Sequence, residues 1–211
     1  MDPHRIPARM VETEILVINS RFIATLGPVF SPEEAKAFIS QVRSRYPDAS
    51  HHVPAYIIGH GVSTTTHCSD DGEPSGTAGR PALAVLSGSG IGDIIVVVTR
   101  YFGGTKLGTG GLVRAYTDAV KAGLLILPLA RKIAASTLLV AFKNTYLERA
   151  RQAALHHHGI ILDETFTTDV TLTIQLPDDD LQEFHRAVSN LTSGTAVVEI
   201  IESNPKTILP L

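Results

Sequence analysis

At 211 residues the chain has room for one large domain or two small ones, each able to bury a core, and its patterning favours two. A formal net charge of −3 excludes a general basic coat for nucleic acid but not a local basic patch. A single cysteine, Cys68, excludes an intramolecular disulfide and the thiolate zinc frameworks. No apolar run approaches the roughly 18 residues of a spanning helix, so a cytoplasmic protein with no membrane partner is expected.

Residues 1–12 carry no apolar core of a signal peptide and read as a flexible soluble tail. Residues 13–18 and 21–27 are apolar-rich and joined across Asn19-Ser20, which predicts a hairpin with Phe22, Ala24 and Leu26 on one face. Ser31-Pro32-Glu33-Glu34 offers a capping hydroxyl, a first-turn proline and a glutamate three residues after the serine. Ala35, Phe38, Ile39 and Val42 then share a helical face until Pro47 blocks continuation. Extended segments at 54–60 and 62–69 precede a polar loop at 70–79 and a short helix beginning at Pro81. Ile94-Ile95-Val96-Val97-Val98 predicts a central strand buried on both faces, delivering Arg100 and a glycine loop to a sheet edge. A helix is expected from Thr109, with Leu112, Tyr116 and Ala119 at helical spacing.

Past Pro128 the pattern restarts as strand 134–142, helix 145–157, strands 160–166 and 168–176, helix 179–191 and strand 195–203. That βαββαβ order is the ferredoxin-like arrangement. Thr167-Thr168 reads as a tight turn, Gly159 as a helix stop, and Asp178-Asp179-Asp180 as a helix start. The expected domains are residues 13–130 and 131–211, in an α+β fold class.

Chemistry-bearing residues concentrate in two runs. Asp70, Asp71 and Glu73 form the one carboxylate cluster beside glycines and hydroxyls, Ser75 and Thr77 among the latter. They suit a hard cation or acid–base work, or equally local turn bonding and a pair between Glu73 and an arginine. Gly103, Gly104, Gly108, Gly110 and Gly111 match neither the P-loop, because Lys106 lies between the glycine pairs, nor the dinucleotide fingerprint, because position 113 is valine. They leave two open readings, an anion cradle at a helix start or close packing without a ligand. Arg80, Arg100, Lys106 and Arg114, with Tyr101, Phe102 and Tyr116, suit a basic surface with aromatic platforms, unless Arg80 and Arg100 pair with the acidic loop. His51, His52, His67 and Cys68 would approach one another only if their strands pair.

The runs Asp70–Pro81 and Val97–Tyr116 together closely resemble the YigZ/IMPACT family, over about residues 15–125, with the remainder similar to the extra carboxy-terminal domain of bacterial YigZ-type members. The resemblance implies a first domain similar to the second domain of ribosomal protein S-five and a ferredoxin-like second domain similar to the last domain of elongation factor G. Eukaryotic members belong to a regulator of translation initiation with an additional amino-terminal domain. No such domain is expected before residue 13 here, so the eukaryotic members' role, which is competing for an activator of the amino-acid-starvation kinase, is not carried over. The resemblance implies a cytosolic protein with nucleic-acid or ribosome association; no cofactor and no metal are expected. Its motif positions mark a binding surface of Asp70, Asp71, Glu73, Ser75, Thr77, Arg80, Arg100, Lys106 and Arg114, without a catalytic residue. The expected function is non-enzymatic regulation linked to translation or stress. The alternatives are an enzyme acting on a phosphorylated or peptide-like small molecule, and a pure protein-interaction module.

Overall fold

A strand made of Ile94-Ile95-Val96-Val97-Val98 has no polar face and needs cover on both sides. The computed structural model describes residues 5–60 and 64–210, and in it this run forms most of β6 (Ile94–Tyr101). The sheet is antiparallel and ordered β2 (Val11–Val17), β3 (Ser20–Pro28), β6, β4 (His51–Ile58) and β5 (Thr65–Cys68). Strand alternation sends Ile94, Val96 and Val98 to one face and Ile95 and Val97 to the other. The first set packs with Ala82 and Leu86 of α2 (Gly79–Ser89) and Ala115, Tyr116 and Ala119 of α3 (Gly108–Leu125). The second meets Ala35 and Val42 of α1 (Pro32–Arg45). All five side chains of the run are fully buried, each contributing ~1.5–3 kcal/mol. The glycine loop therefore leaves the end of the central strand, not a sheet edge as the sequence suggested, because apolar cover on two faces forces the strand inward.

Ser31 caps α1 by accepting the Glu34 N–H at 3.1 Å, while the Glu34 carboxylate takes the Phe30 N–H at 2.9 Å, one residue before the cap. The hairpin turn sits one residue earlier than expected. Ile18 and Asn19 have φ of 43° and 64°, as a two-residue turn matched to the strand twist demands of both its central residues.

Two expectations are corrected at the chain's start. Arg5–Pro7 is not tail but strand β1, paired with Leu129–Arg131, because Ile6 is fully buried; β2 likewise begins at Val11, inside the expected tail. Residues 1–4, and the 62–63 part of the expected second extended segment, lie outside the described residues.

The chain divides into two compact units, Met1–Arg131 with Leu209–Leu211, and Lys132–Ile208. The second contains most of β7 (Leu129–Phe142), then α4 (Leu147–His156), β8 (Ile160–Phe166), β9 (Val170–Pro177), α5 (Leu181–Thr192) and β10 (Val197–Pro210). Its sheet order is β10, β7, β9, β8, the ferredoxin-like fold expected from the βαββαβ pattern. Phe184 and Val188 of α5 and Ala150 and Ala154 of α4 cover Leu172 and Ile174 of β9. A second domain running to residue 211 is amended at its end, since Leu209 is buried and groups with the first unit. At the end of α4 the left-handed residue is His158, φ 57°, not Gly159. Gly159 serves by smallness, since a Cβ there would lie 2.9 Å from the Ala154 carbonyl oxygen and 2.8 Å from Leu176.

Candidate functional site

Turn chemistry in the 70–79 loop sends its three carboxylates in three directions. Asp70 accepts the N–H groups of Gly76 (2.8 Å), Ala78 (3.1 Å) and Gly79 (2.8 Å), serving as the cap of α2 from nine residues away. Burial alone would push its carboxyl upward, but the three backbone donors, with the Arg80 charge, outweigh that and hold it below the ordinary carboxylate value. Asp71, at φ 46°, accepts the His52 N–H at 2.7 Å and pairs with Arg43 of α1. Glu73 turns inward, 8% exposed.

At the centre Glu73 Oε1 receives Arg100 Nη1 at 2.6 Å and the Tyr116 hydroxyl at 2.8 Å. The Tyr116 phenol is pushed far above its ordinary range, by burial first and by the Glu73 charge second, so it stays a donor. Arg100 is 5% exposed, and its guanidinium lies 5.4 Å from the Phe22 ring centre and 5.5 Å from that of Phe102. Its Nη2 donates to Ser20 Oγ at 3.4 Å, which also accepts the Gly103 N–H at 3.2 Å; its Nε is buried without a partner. His51 donates from Nδ1 to the Asp71 carbonyl at 2.8 Å, since a carbonyl only accepts, and turns Nε2 toward Glu73 at 3.9 Å.

Over this buried pair opens a cavity of about 330 Å³ lined by Pro74, Arg100, Phe102, Lys106, Gly108 and Thr109 among others. Phe102 is 49% exposed on its rim. No side chain caps the start of α3, so its first amides face outward with the positive end of the helix dipole.

Residues 18–124 match the model of the Impact N-terminal domain, and residues 147–195 match a Domain of unknown function (DUF1949). The IMPACT family member YigZ of Escherichia coli is 37% identical over 203 residues, covering 96% of this chain and 100% of that one. The chain belongs to the IMPACT family. YvyE of Bacillus subtilis, another IMPACT family member, is 32% identical over 188 residues, covering 89% of this chain and 86% of that one. The crystal structure of a hypothetical protein is similar with a TM-score of 0.62 at 37% identity, covering 96% of this chain and 98% of that one.

In this IMPACT-family chain the two signature runs meet at the Glu73–Arg100 pair. The candidate residues separate into three groups. Asp70, Asp71, Glu73, Arg100, Thr77 and Gly103 hold the loops together: Thr77 donates its hydroxyl to the Pro74 carbonyl at 2.6 Å, and a Cβ on Gly103 would come within 2.1 Å of the Asn19 backbone. Lys106, Gly108 and Phe102 line the cavity, while the exposed Gly104 and Gly110 lie in the loop and helix start beside it. Gly111 there faces Leu107, whose Cβ would stand 3.1 Å from an added Cβ. Ser75, Arg80 and Arg114 are exposed, apart from the central pair.

A basic surface that includes Arg100 is thus corrected, because its charge is spent on Glu73. The histidine–cysteine cluster does not assemble either. His67 pairs with Tyr56 across the strands, their rings 5.3 Å apart, whereas His51 and His52 stand at the far end of β4. Burial, with Asp70 adding to it, pushes the Cys68 thiol up. No group of three or more metal-ligating side chains is found among the described residues, and none of the described helices is long and apolar enough to cross a membrane. Sequence reasoning missed Ser20, and it missed His51 and Tyr116 as partners of Glu73. One available signal was strand parity: Arg100 shares the inward face of Ile94, Val96 and Val98.

Proposed function

We propose that this IMPACT-family chain is a non-enzymatic cytoplasmic regulator linked to translation, whose first unit binds single-stranded RNA at the cavity beside α3. The observation that carries it is the juxtaposition of half-exposed Phe102, Lys106 and the uncapped start of α3 around one cavity. A base stacks on an aromatic face whatever its sequence, and a neighbouring phosphate finds a cation and free amides. At about 330 Å³ the cavity admits one nucleotide. The link to translation rests on the resemblance of both domains to parts of the translation apparatus, which is analogy of fold. Acid–base or metal chemistry on the 70–73 cluster is disfavoured, since each of its carboxylates is engaged in holding the loops.

Anisotropy of a labelled 12-nucleotide single-stranded RNA tests the reading. Binding is expected to saturate and to weaken with salt at a log–log slope of about −0.7, because Lys106 is the cation lining the cavity that is not paired with Glu73. Phe102→Ala is expected to cost about 1–3 kcal/mol of stacking, and Lys106→Ala to flatten the salt slope. Absence of binding at low salt, or affinities indifferent to both substitutions, overturns the proposal.

A further inference from the structure

Away from that cavity, α2 and α3 pack side by side and leave between them a groove of about 530 Å³. Its floor is mostly aliphatic, with Pro81, Ala84 and Val85 from α2 and Val113, 38% exposed, from α3; Thr117, Arg80 and Lys121 also line it. The two helices run in the same direction. The loop entering α2 is fastened to Arg100 through Glu73, and α3 follows the same end of β6. Arg80 lies in the first turn of α2 and Lys121 in the fourth turn of α3, so the cations stand at opposite ends of the groove. Val113 and Lys121 are separated along α3 by about 12 Å.

Neither Arg80 nor Lys121 has an ion-pair partner among the described residues. The Arg80 charge acts on the Asp70 carboxylate without an ion pair between them, and Asp70 is held by three amides. Helix α2 contains no acidic residue, and the one acid of α3, Asp118, does not line the groove. A chain carrying net charge −3 thus presents an aliphatic trough with a free cation at each end.

We propose that this groove docks an acidic peptide segment of a partner protein, with an aliphatic side chain on the Ala84–Val85–Val113 floor and carboxylates reaching Arg80 and Lys121. Charge complementarity selects the occupant. No aromatic ring lines the groove, so it offers nucleic acid no stacking platform. An aliphatic floor is desolvated by an aliphatic side chain and not by phosphate, and the peptide mode is an anchored segment with flanking charges.

A random 12-residue peptide library displayed against the full-length chain, followed by anisotropy of the enriched peptides after synthesis and labelling, tests this. Enrichment of Leu, Ile, Val or Met flanked by Asp or Glu is expected. Arg80→Glu with Lys121→Glu should weaken those peptides tenfold or more, and Val113→Ser severalfold, with far-UV circular dichroism unchanged. Lys36→Glu on α1, on the opposite side of the sheet, should leave them unchanged. Enrichment without acidic residues, or affinities unmoved by both groove variants, overturns the proposal. So does displacement of the peptides by 12-nucleotide RNA whose own binding is lost in Arg80→Glu/Lys121→Glu, which makes the groove a nucleic-acid site. Because Phe102 and Lys106 are untouched in the groove variants, failure here is separable from failure of RNA binding at the cavity.

Discussion

Glu73→Gln removes one negative charge from the centre of the first unit and almost no volume. Arg100 would then be a buried cation whose Nη1 faces a neutral amide, while its Nε already lacks a partner. Removing one member of a buried pair costs about 3–5 kcal/mol, because the survivor stays desolvated. The glutamine oxygen still accepts the Tyr116 hydroxyl, so a loss near ~3 kcal/mol is expected, or roughly 10 °C in Tm for a unit of this size. Urea unfolding followed by tyrosine fluorescence suits the measurement. The chain has no tryptophan, and Tyr46, Tyr56, Tyr101 and Tyr116 lie in the first unit with Tyr146 alone in the second. The double variant Glu73→Gln/Arg100→Met replaces the pair with neutral groups and should recover most of the loss. A single variant that loses under about 1 kcal/mol, or a double variant no better than the single, would refute the picture of a desolvated pair fastening two loops.

Asp70→Asn should cost ~1–2 kcal/mol at neutral pH, as loss of a helix cap does. Since the folded carboxyl lies below its ordinary 3.8, the wild-type contribution is complete above that value and disappears as pH falls through the lower folded one; urea midpoints at pH 7 and pH 3 should therefore differ less for the variant. Gly103→Ala, which drives a Cβ into the Asn19 backbone, should destabilise by ~2 kcal/mol or more. Gly110→Ala, helical and open to solvent, should instead stabilise by ~0.4–1 kcal/mol. The same Gly110→Ala variant should bind RNA more weakly, read by anisotropy, if backbone at the start of α3 meets phosphate.

What the sequence disclosed was whatever depends on neighbours in the chain. Two-faced burial of β6 follows from five consecutive β-branched residues, the cap of α1 from Ser31 and Glu34, and the second unit's βαββαβ order from periodicity alone. The site was legible as two motifs but not as one object. Its bonds join residues 27, 43 and 80 positions apart, from Arg100 to Glu73, Tyr116 to Glu73 and Arg100 to Ser20. Tyr116 shows as apolar spacing on a helix, and nothing local announces that its hydroxyl meets a carboxylate. Asp70 read as a ligand candidate because capping from nine residues away resembles no short-range capping pattern.

The order in which the first sheet is synthesised differs from its order in space. Residues 11–28 and 51–68 supply two antiparallel pairs, β2 with β3 and β4 with β5, and β6, which joins them, is made last. The inner edges of β3 and β4 therefore lack their partner strand until residues 94–101 have left the ribosome. Arg21 opposite Tyr101 closes a loop of 80 residues, a long-range closure that must be completed before its contacts stabilise anything. Until that moment the inner edges of β3 and β4 are open templates for mispairing, and the segment that closes them carries Arg100 into place in the same event.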